Sequence, residues 1–150
     1  MDAKILPAVW SLKVKRDGSR KARLCAGGHR QDPLEAFFTY SPTVSMTSLR
    51  VVLASFGKFY KRQFDVIHIY LHAKLPKPVY MQLPEGYSLV SDSADSSRHV
   101  LRIEKSLYGL QEAGQLWYKE LQSYLLTIGF SPLASDPCVF LNSERLSLLV

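Results

Sequence analysis

Trp10 to Lys15 alternates apolar with polar or basic positions, Arg16-Asp17-Gly18-Ser19 has turn chemistry, and Lys21 to Ala26 largely alternates again. This pattern predicts a β-hairpin closed off by Gly27-Gly28. A period of two puts Leu12 and Val14 on an inward face with Lys13 and Lys15 outward, while on the return strand Ala22 and Leu24 oppose Lys21 and Arg23, so one face is strongly basic. After a loop marked by Pro33 and Pro42 the period changes. Leu49, Val52, Leu53 and Phe56 recur at helical spacing, which predicts a helix from about Thr47 to Phe59 with Ser45 or Thr47 as its cap. Gln63 to Leu71 is dense in β-branched and aromatic residues and reads as a strand; Pro76 and Pro78 interrupt before a second short strand, Val79 to Leu83. Ser88 to His99 is too polar to bury much and reads as a surface loop. Leu110, Ala113, Trp117, Leu121, Tyr124, Leu125 and Ile128 then form one helical stripe stopped by Gly129. Val139 to Asn142 and Leu146 to Val150 predict a terminal hairpin around Ser143-Glu144-Arg145. The expectation is an α+β unit, an antiparallel sheet backed by two helices.

Composition narrows this modestly. With 150 residues and 47% hydrophobic content the chain can bury one core, so a single domain is expected. Nineteen Lys and Arg against thirteen Asp and Glu give +6, a balance that favours polyanionic partners and is also found in ordinary basic proteins. Cys25 and Cys138 stand far apart, in neither a disulfide framework nor a zinc pattern, and are expected to be reduced thiols. The start of the chain has only a short apolar run broken by Pro7, unlike a signal peptide or membrane span, so an intracellular protein, cytoplasmic or nuclear, with no membrane partner is expected.

Candidate chemistry centres on Asp65, set between Phe64 and Val66, where a carboxylate needs a cation or several donors. On pattern alone, a strand-end Asp that caps a turn or pairs with Lys61 or Arg62 is favoured over a functional one. Asp65, His68 and His72 would line up on a helix as a transition-metal site, but the β-branched residues between them argue for a strand. Lys13, Lys15, Arg16, Arg20, Lys21 and Arg23 are dense enough for phosphate contact, with a solvated hairpin face as the equal alternative.

Taken in order, Trp10-Ser11-Leu12-Lys13-Val14-Lys15, Lys21-Ala22-Arg23-Leu24, Thr39-Tyr40-Ser41-Pro42, Gln63-Phe64-Asp65-Val66, Val79-Tyr80-Met81-Gln82-Leu83-Pro84, Ser106-Leu107-Tyr108-Gly109-Leu110, Trp117-Tyr118 and Asp136-Pro137-Cys138-Val139-Phe140 resemble the reverse transcriptase region of copia-type retrotransposon polyproteins. The resemblance implies part of the fingers, about residues 1–45, and an incomplete palm, about 46–150. It implies that Asp65 is the first metal-binding and catalytic aspartate, that the Val66 carbonyl is a backbone ligand, and that Tyr70 is the gate against a ribose 2′-OH. Lys21 and Arg23 would lie near the incoming deoxynucleoside triphosphate, with an RNA or DNA template-primer as partner and Mg²⁺ as cofactor. Glu112 occupies a nucleotide-binding position where the family usually has Gln.

Two-metal phosphoryl transfer needs hard oxygen ligands for both ions. In the family two further aspartates follow a strand resembling Leu146 to Val150, and this sequence contains no Asp-Asp pair. A fragment ending before that turn, inactive as an isolated chain, is therefore expected. The alternatives are a non-catalytic nucleic-acid or protein interaction module, with a partner strand at the C-terminal edge, and a degenerate product that is never used.

Overall fold

The computed structural model describes residues 4–32, 39–87, 99–144 and 147–150. Two helices and eight strands are formed there, an α+β arrangement in three small sheets rather than one antiparallel sheet. The first sheet joins β1 (Ile5–Leu6), β4 (Lys74–Gln82) and β5 (Val100–Lys105). β1 lies parallel to β4, Ile5 opposite Tyr80 and Leu6 opposite Met81, while β4 and β5 are antiparallel. Leu6 and Met81 are almost wholly buried here, and with Ala26, Leu110 and Ala113 they make the main core.

The predicted hairpin forms as β2 (Ala8–Val14) and β3 (Arg20–Ala26), with Gly18 at φ 80° in the turn and Asp17 accepting from the Ser19 amide at 2.9 Å. Its inward face is corrected: Leu12 is 74% and Val14 67% exposed. The hairpin is a sheet of its own, and only its base, through Ala8, Leu24 and Ala26, reaches the core. Period two fixes which residues share a face, but whether that face is covered depends on what packs beyond the strand ends.

The first helix, α1 (Met46–Ser55), is capped as expected by Ser45, whose side chain accepts from the Ser48 amide at 2.9 Å, but it ends before Phe59. Phe56 takes a non-helical conformation, Gly57 follows, and Phe56 and Phe59 pack their rings 5.3 Å apart across a turn. No residue of α1 is buried, so this helix does not back a sheet in the described structure.

The predicted strand from Gln63 to Leu71 is also corrected. Gln63 to Val66 is exposed irregular backbone, His68 takes a left-handed φ of 54°, and Ile69–His72 makes a short 3₁₀ turn. β-Branched composition supplies propensity, but a strand persists only against a neighbour that completes its ladder, and none of the described strands pairs with this one. Conversely, β4 starts at Lys74 and runs through Pro76 and Pro78. They fall where the β4–β5 register shifts, and β1 flanks only Tyr80 and Met81, so the missing N–H groups interrupt no ladder. Of the predicted loop Ser88 to His99, residues 88–98 lie outside the described residues.

The second helix, α2 (Ala113–Thr127), follows its apolar stripe only in part: Ala113 and Leu125 are buried, Tyr124 is 61% exposed. Gly129 ends it at φ 85°, the Gly129 and Phe130 amides turn back onto Leu126 and Leu125, and Nδ2 of the buried Asn142 side chain donates to the Ile128 carbonyl at 3.2 Å. The last sheet, β6 (Ser131–Leu133), β7 (Asp136–Asn142) and β8 (Ser147–Leu149), is antiparallel and buries Val139 and Phe140. It contains the predicted terminal hairpin, apart from Arg145 and Leu146, which lie outside the described residues. Among the described residues no helix is long and apolar enough to cross a membrane.

Candidate active site

The register of the hairpin sorts its charges. Directly opposed residues share a face, so Ser11–Arg23 and Lys13–Lys21 lie on one side, and Trp10–Leu24, Leu12–Ala22 and Val14–Arg20 on the other. Lys13 and Lys21 face each other directly, a like-charge pair that an anion would relieve.

Arg23 is not a free surface cation. Its guanidinium lies 5.0 Å from the centre of the Tyr108 ring, and Tyr108 meets Tyr70 edge-on at 4.8 Å. The chain is brought to this point by a tight backbone junction. The Ala26 amide donates to the Tyr108 carbonyl at 2.8 Å, and Gly109, at φ 91°, passes so close to the Ala26 carbonyl that a side chain would overlap it. Gly28 is pressed equally hard against the Gly109 carbonyl, which explains why Gly-Gly follows the hairpin.

Beside the junction runs a polar chain. The Gln111 side chain donates to the Gly28 carbonyl at 2.7 Å, the Gln111 amide donates to Gln31 Oε1 at 2.8 Å, and Gln31 Nε2 donates to Glu112 Oε2 at 2.8 Å. Glu112 thus acts as an acceptor tied to Gln31, at the N-terminal end of α2 where its charge is favoured.

The structure therefore joins two of the sequence-predicted residues, Arg23 and Tyr70, through Tyr108, and places Glu112 in the adjoining network. Lys21 shares the face of Arg23 but takes no part in the stack. Asp65 and Val66 are exposed in irregular backbone, Val66 at 45%, and none of the described contacts involves the Asp65 carboxylate. His72 is engaged elsewhere: its Nε2 lies 3.2 Å from the Ile67 carbonyl and its ring 6.1 Å from that of Trp117.

One exposed carboxylate and one carbonyl do not fit a pair of Mg²⁺ ions, and among the described residues no three His, Cys, Asp or Glu side chains gather as a metal would require. The Asp65, His68, His72 grouping is not formed. Sequence reasoning missed Gln31, which carries no local signal because its partners lie 80 and 81 residues away. It also missed Asp136, a buried carboxylate at the start of β7. Asp136 entered the sequence reading only within the Asp136-Pro137-Cys138-Val139-Phe140 stretch, with no role of its own.

Comparison with known proteins gives a family match over the full chain, residues 1–150, to "Reverse transcriptase (RNA-dependent DNA polymerase)". The chain is 40% identical over 147 residues to the retrovirus-related Pol polyprotein from transposon RE1 of Arabidopsis thaliana, a match covering 94% of this chain and 10% of that protein. It is 37% identical, with the same coverage, to the corresponding polyprotein from transposon RE2 of that plant. It is 34% identical to that from transposon TNT 1-94 of Nicotiana tabacum, over 90% of this chain and 10% of the relative. The chain thus spans about a tenth of the length of these curated relatives. No solved structure matches it.

Proposed function

Because the chain belongs to the reverse transcriptase family, in its copia-type branch, we propose that it is the fingers-to-palm portion of an RNA-directed DNA polymerase, fingers over about residues 1–45 and palm over about 46–150. Lys21 and Arg23 contact the triphosphate of the incoming deoxynucleotide, Tyr70 gates its sugar, and Asp65 with the Val66 carbonyl supplies part of a divalent metal site. The observation that carries this reading is the stack of Arg23 on Tyr108 and of Tyr108 on Tyr70, which holds a cation and a candidate sugar gate on one aromatic support. Glu112 bears on the same site through Gln31, its anion set at a position where the family usually offers an amide.

The family uses divalent metals, but the donor set of the described residues falls short of holding them. By that chemistry the isolated chain does not extend a primer, because one carboxylate cannot fix the attacking and leaving oxygens of an in-line displacement. It still binds template-primer through the exposed hairpin cations, with a steep dependence on salt. The protein acts inside the cell, where a retrotransposon product would meet its RNA.

Primer extension on an RNA template with Mg²⁺ tests the reading. No incorporation is expected from the isolated chain, and incorporation abolished by Asp65→Asn would refute the inactivity. RNA binding that weakens with salt, and weakens further in Lys21→Ala and Arg23→Ala, is expected; binding indifferent to both changes refutes the hairpin assignment. β8 favours a second reading. Among the described residues it is an edge strand of its sheet, and in this reading the domain is a non-catalytic module that adds a partner's strand there while the hairpin holds phosphates.

A further inference from the structure

α1 is only partly covered: Leu49 and Val52 are half-buried, and polar contacts pin its N-terminus. None of its residues is buried, yet its N-terminus meets β7 through one side chain. Asp136 is 4% exposed, and its Oδ2 accepts from the Ser45 amide at 3.0 Å across 91 residues of chain, while Oδ1 accepts from the Cys138 amide at 3.0 Å. The Ser48 hydroxyl stands beside the same carboxylate and helps hold its pKa down. The Ser45 hydroxyl in turn donates to Ser48 Oγ at 2.8 Å while accepting the Ser48 amide. A helix cap, a hydroxyl relay and a buried anion at the positive end of the helix therefore form one connected unit.

We propose that Asp136 is a positioning residue: its carboxylate clamps α1 to the C-terminal sheet, and through α1 and the turn at Phe56–Phe59 it sets where Asp65 stands. The clamp is local geometry, whereas its relevance to Asp65 rests on the polymerase reading above. The turn that transmits it is closed by the Phe59 amide on the Phe56 carbonyl at 3.0 Å and by Lys61 Nζ on the Gly57 carbonyl at 3.2 Å. Bonds from Ser48, Ser45 and Cys138 hold the Asp136 carboxyl below its ordinary value. Its ionisable neighbours are Tyr118 on α2 and Cys138 on its own strand, both shifted upward and so uncharged at neutral pH, with Tyr40 acting on Tyr118. The clamp is therefore charged and intact there.

Amide hydrogen exchange and NMR on the full chain test this, with α2 as internal reference. Asp136→Asn keeps the shape but loses the anion and one acceptor, so exchange in α1 should accelerate about tenfold relative to α2, the size expected from lost charge-assisted bonds. The resonances of residues 63–66 should shift in the same variant. In the unsubstituted chain the Ser45 and Cys138 amides should titrate together, with a midpoint below an ordinary carboxylate, and this step should vanish in Asp136→Asn. If that variant does not fold, Ser48→Ala, which leaves the cap oxygen in place but removes the hydroxyl beside Asp136 together with its bond from Ser45, should accelerate α1 exchange about threefold. Unchanged α1 exchange in the folded variants, or unmoved resonances at residues 63–66, overturns the proposal. Both readouts need no catalysis, so their failure is distinct from a failure of the polymerase reading, which primer extension and RNA binding report.

Discussion

Replacing Gly109 by Ala perturbs the junction that holds the hairpin to the rest of the fold. Two penalties add at that position. The left-handed backbone, φ 91°, costs an L-residue about 1 to 2 kcal/mol. The new methyl would also overlap the Ala26 carbonyl and push β3 away, at about 1 to 3 kcal/mol for overpacking. Losing the 2.8 Å bond from the Ala26 amide to the Tyr108 carbonyl removes about 1 kcal/mol more. The expected total is about 3 to 6 kcal/mol, a large share of the roughly 5 to 15 kcal/mol that typically separates folded from unfolded domains. Gly18 supplies the control. Its φ of 80° is similar, but a methyl there meets nothing within 4 Å, so Gly18→Ala should cost only the backbone part, about 1 to 2 kcal/mol. Urea unfolding followed by the fluorescence of Trp10 and Trp117 measures both. Equal midpoints for the two variants would refute the junction, because steric overlap at Gly109 must add to the backbone preference the two glycines share.

Further outcomes follow from other sites. The Ser106 hydroxyl is fully buried with no hydrogen-bond partner among the described residues, so Ser106→Ala should leave stability unchanged or raise it by about 1 kcal/mol, and a clear loss in urea unfolding would contradict that. Ser45→Ala removes a helix cap and should cost about 1 kcal/mol, read by the same unfolding curves. Asp136 has a folded pKa below its unfolded value near 3.9, so its contribution is complete above that value and lost as pH falls through the folded pKa. Acid unfolding of Asp136→Asn should therefore lack this step, and an identical acid profile in both proteins would count against it. Tyr108→Leu should release Arg23 and Tyr70 together; near-ultraviolet circular dichroism should change as much in Tyr108→Leu as in the Tyr108→Leu, Tyr70→Leu double variant, and a larger change in the double variant would deny the coupling.

What could be read from the sequence was local. The Asp17-Gly18 turn, the Ser45 cap and the Gly129 stop each rest on residues a few positions apart, and each forms as expected. The α2 stripe gave the helix but overstated its burial, because periodicity defines a face and leaves open how far neighbouring elements extend over it; Tyr124 lies beyond that cover. Gln63 to Leu71 failed for a related reason: residue type favours extension, while pairing is a property of another segment. Family resemblance names Arg23 and Tyr70 as site candidates, but their shared support on Tyr108, and the tie between Gln31 and Glu112, depend on a return of the chain that no short pattern encodes.

That return orders events in time. The hairpin's own residues are complete once Ala26 is made, but its seat, from Tyr108 to Glu112, is synthesised some eighty residues later. A nascent chain on the ribosome therefore carries the hairpin with its base, Ala8, Leu24 and Ala26, uncovered for several seconds at typical elongation rates of roughly 5 to 20 residues per second. During that interval the base stays open to solvent, so slowing translation between the codons for Ala26 and Glu112 should lengthen its exposure.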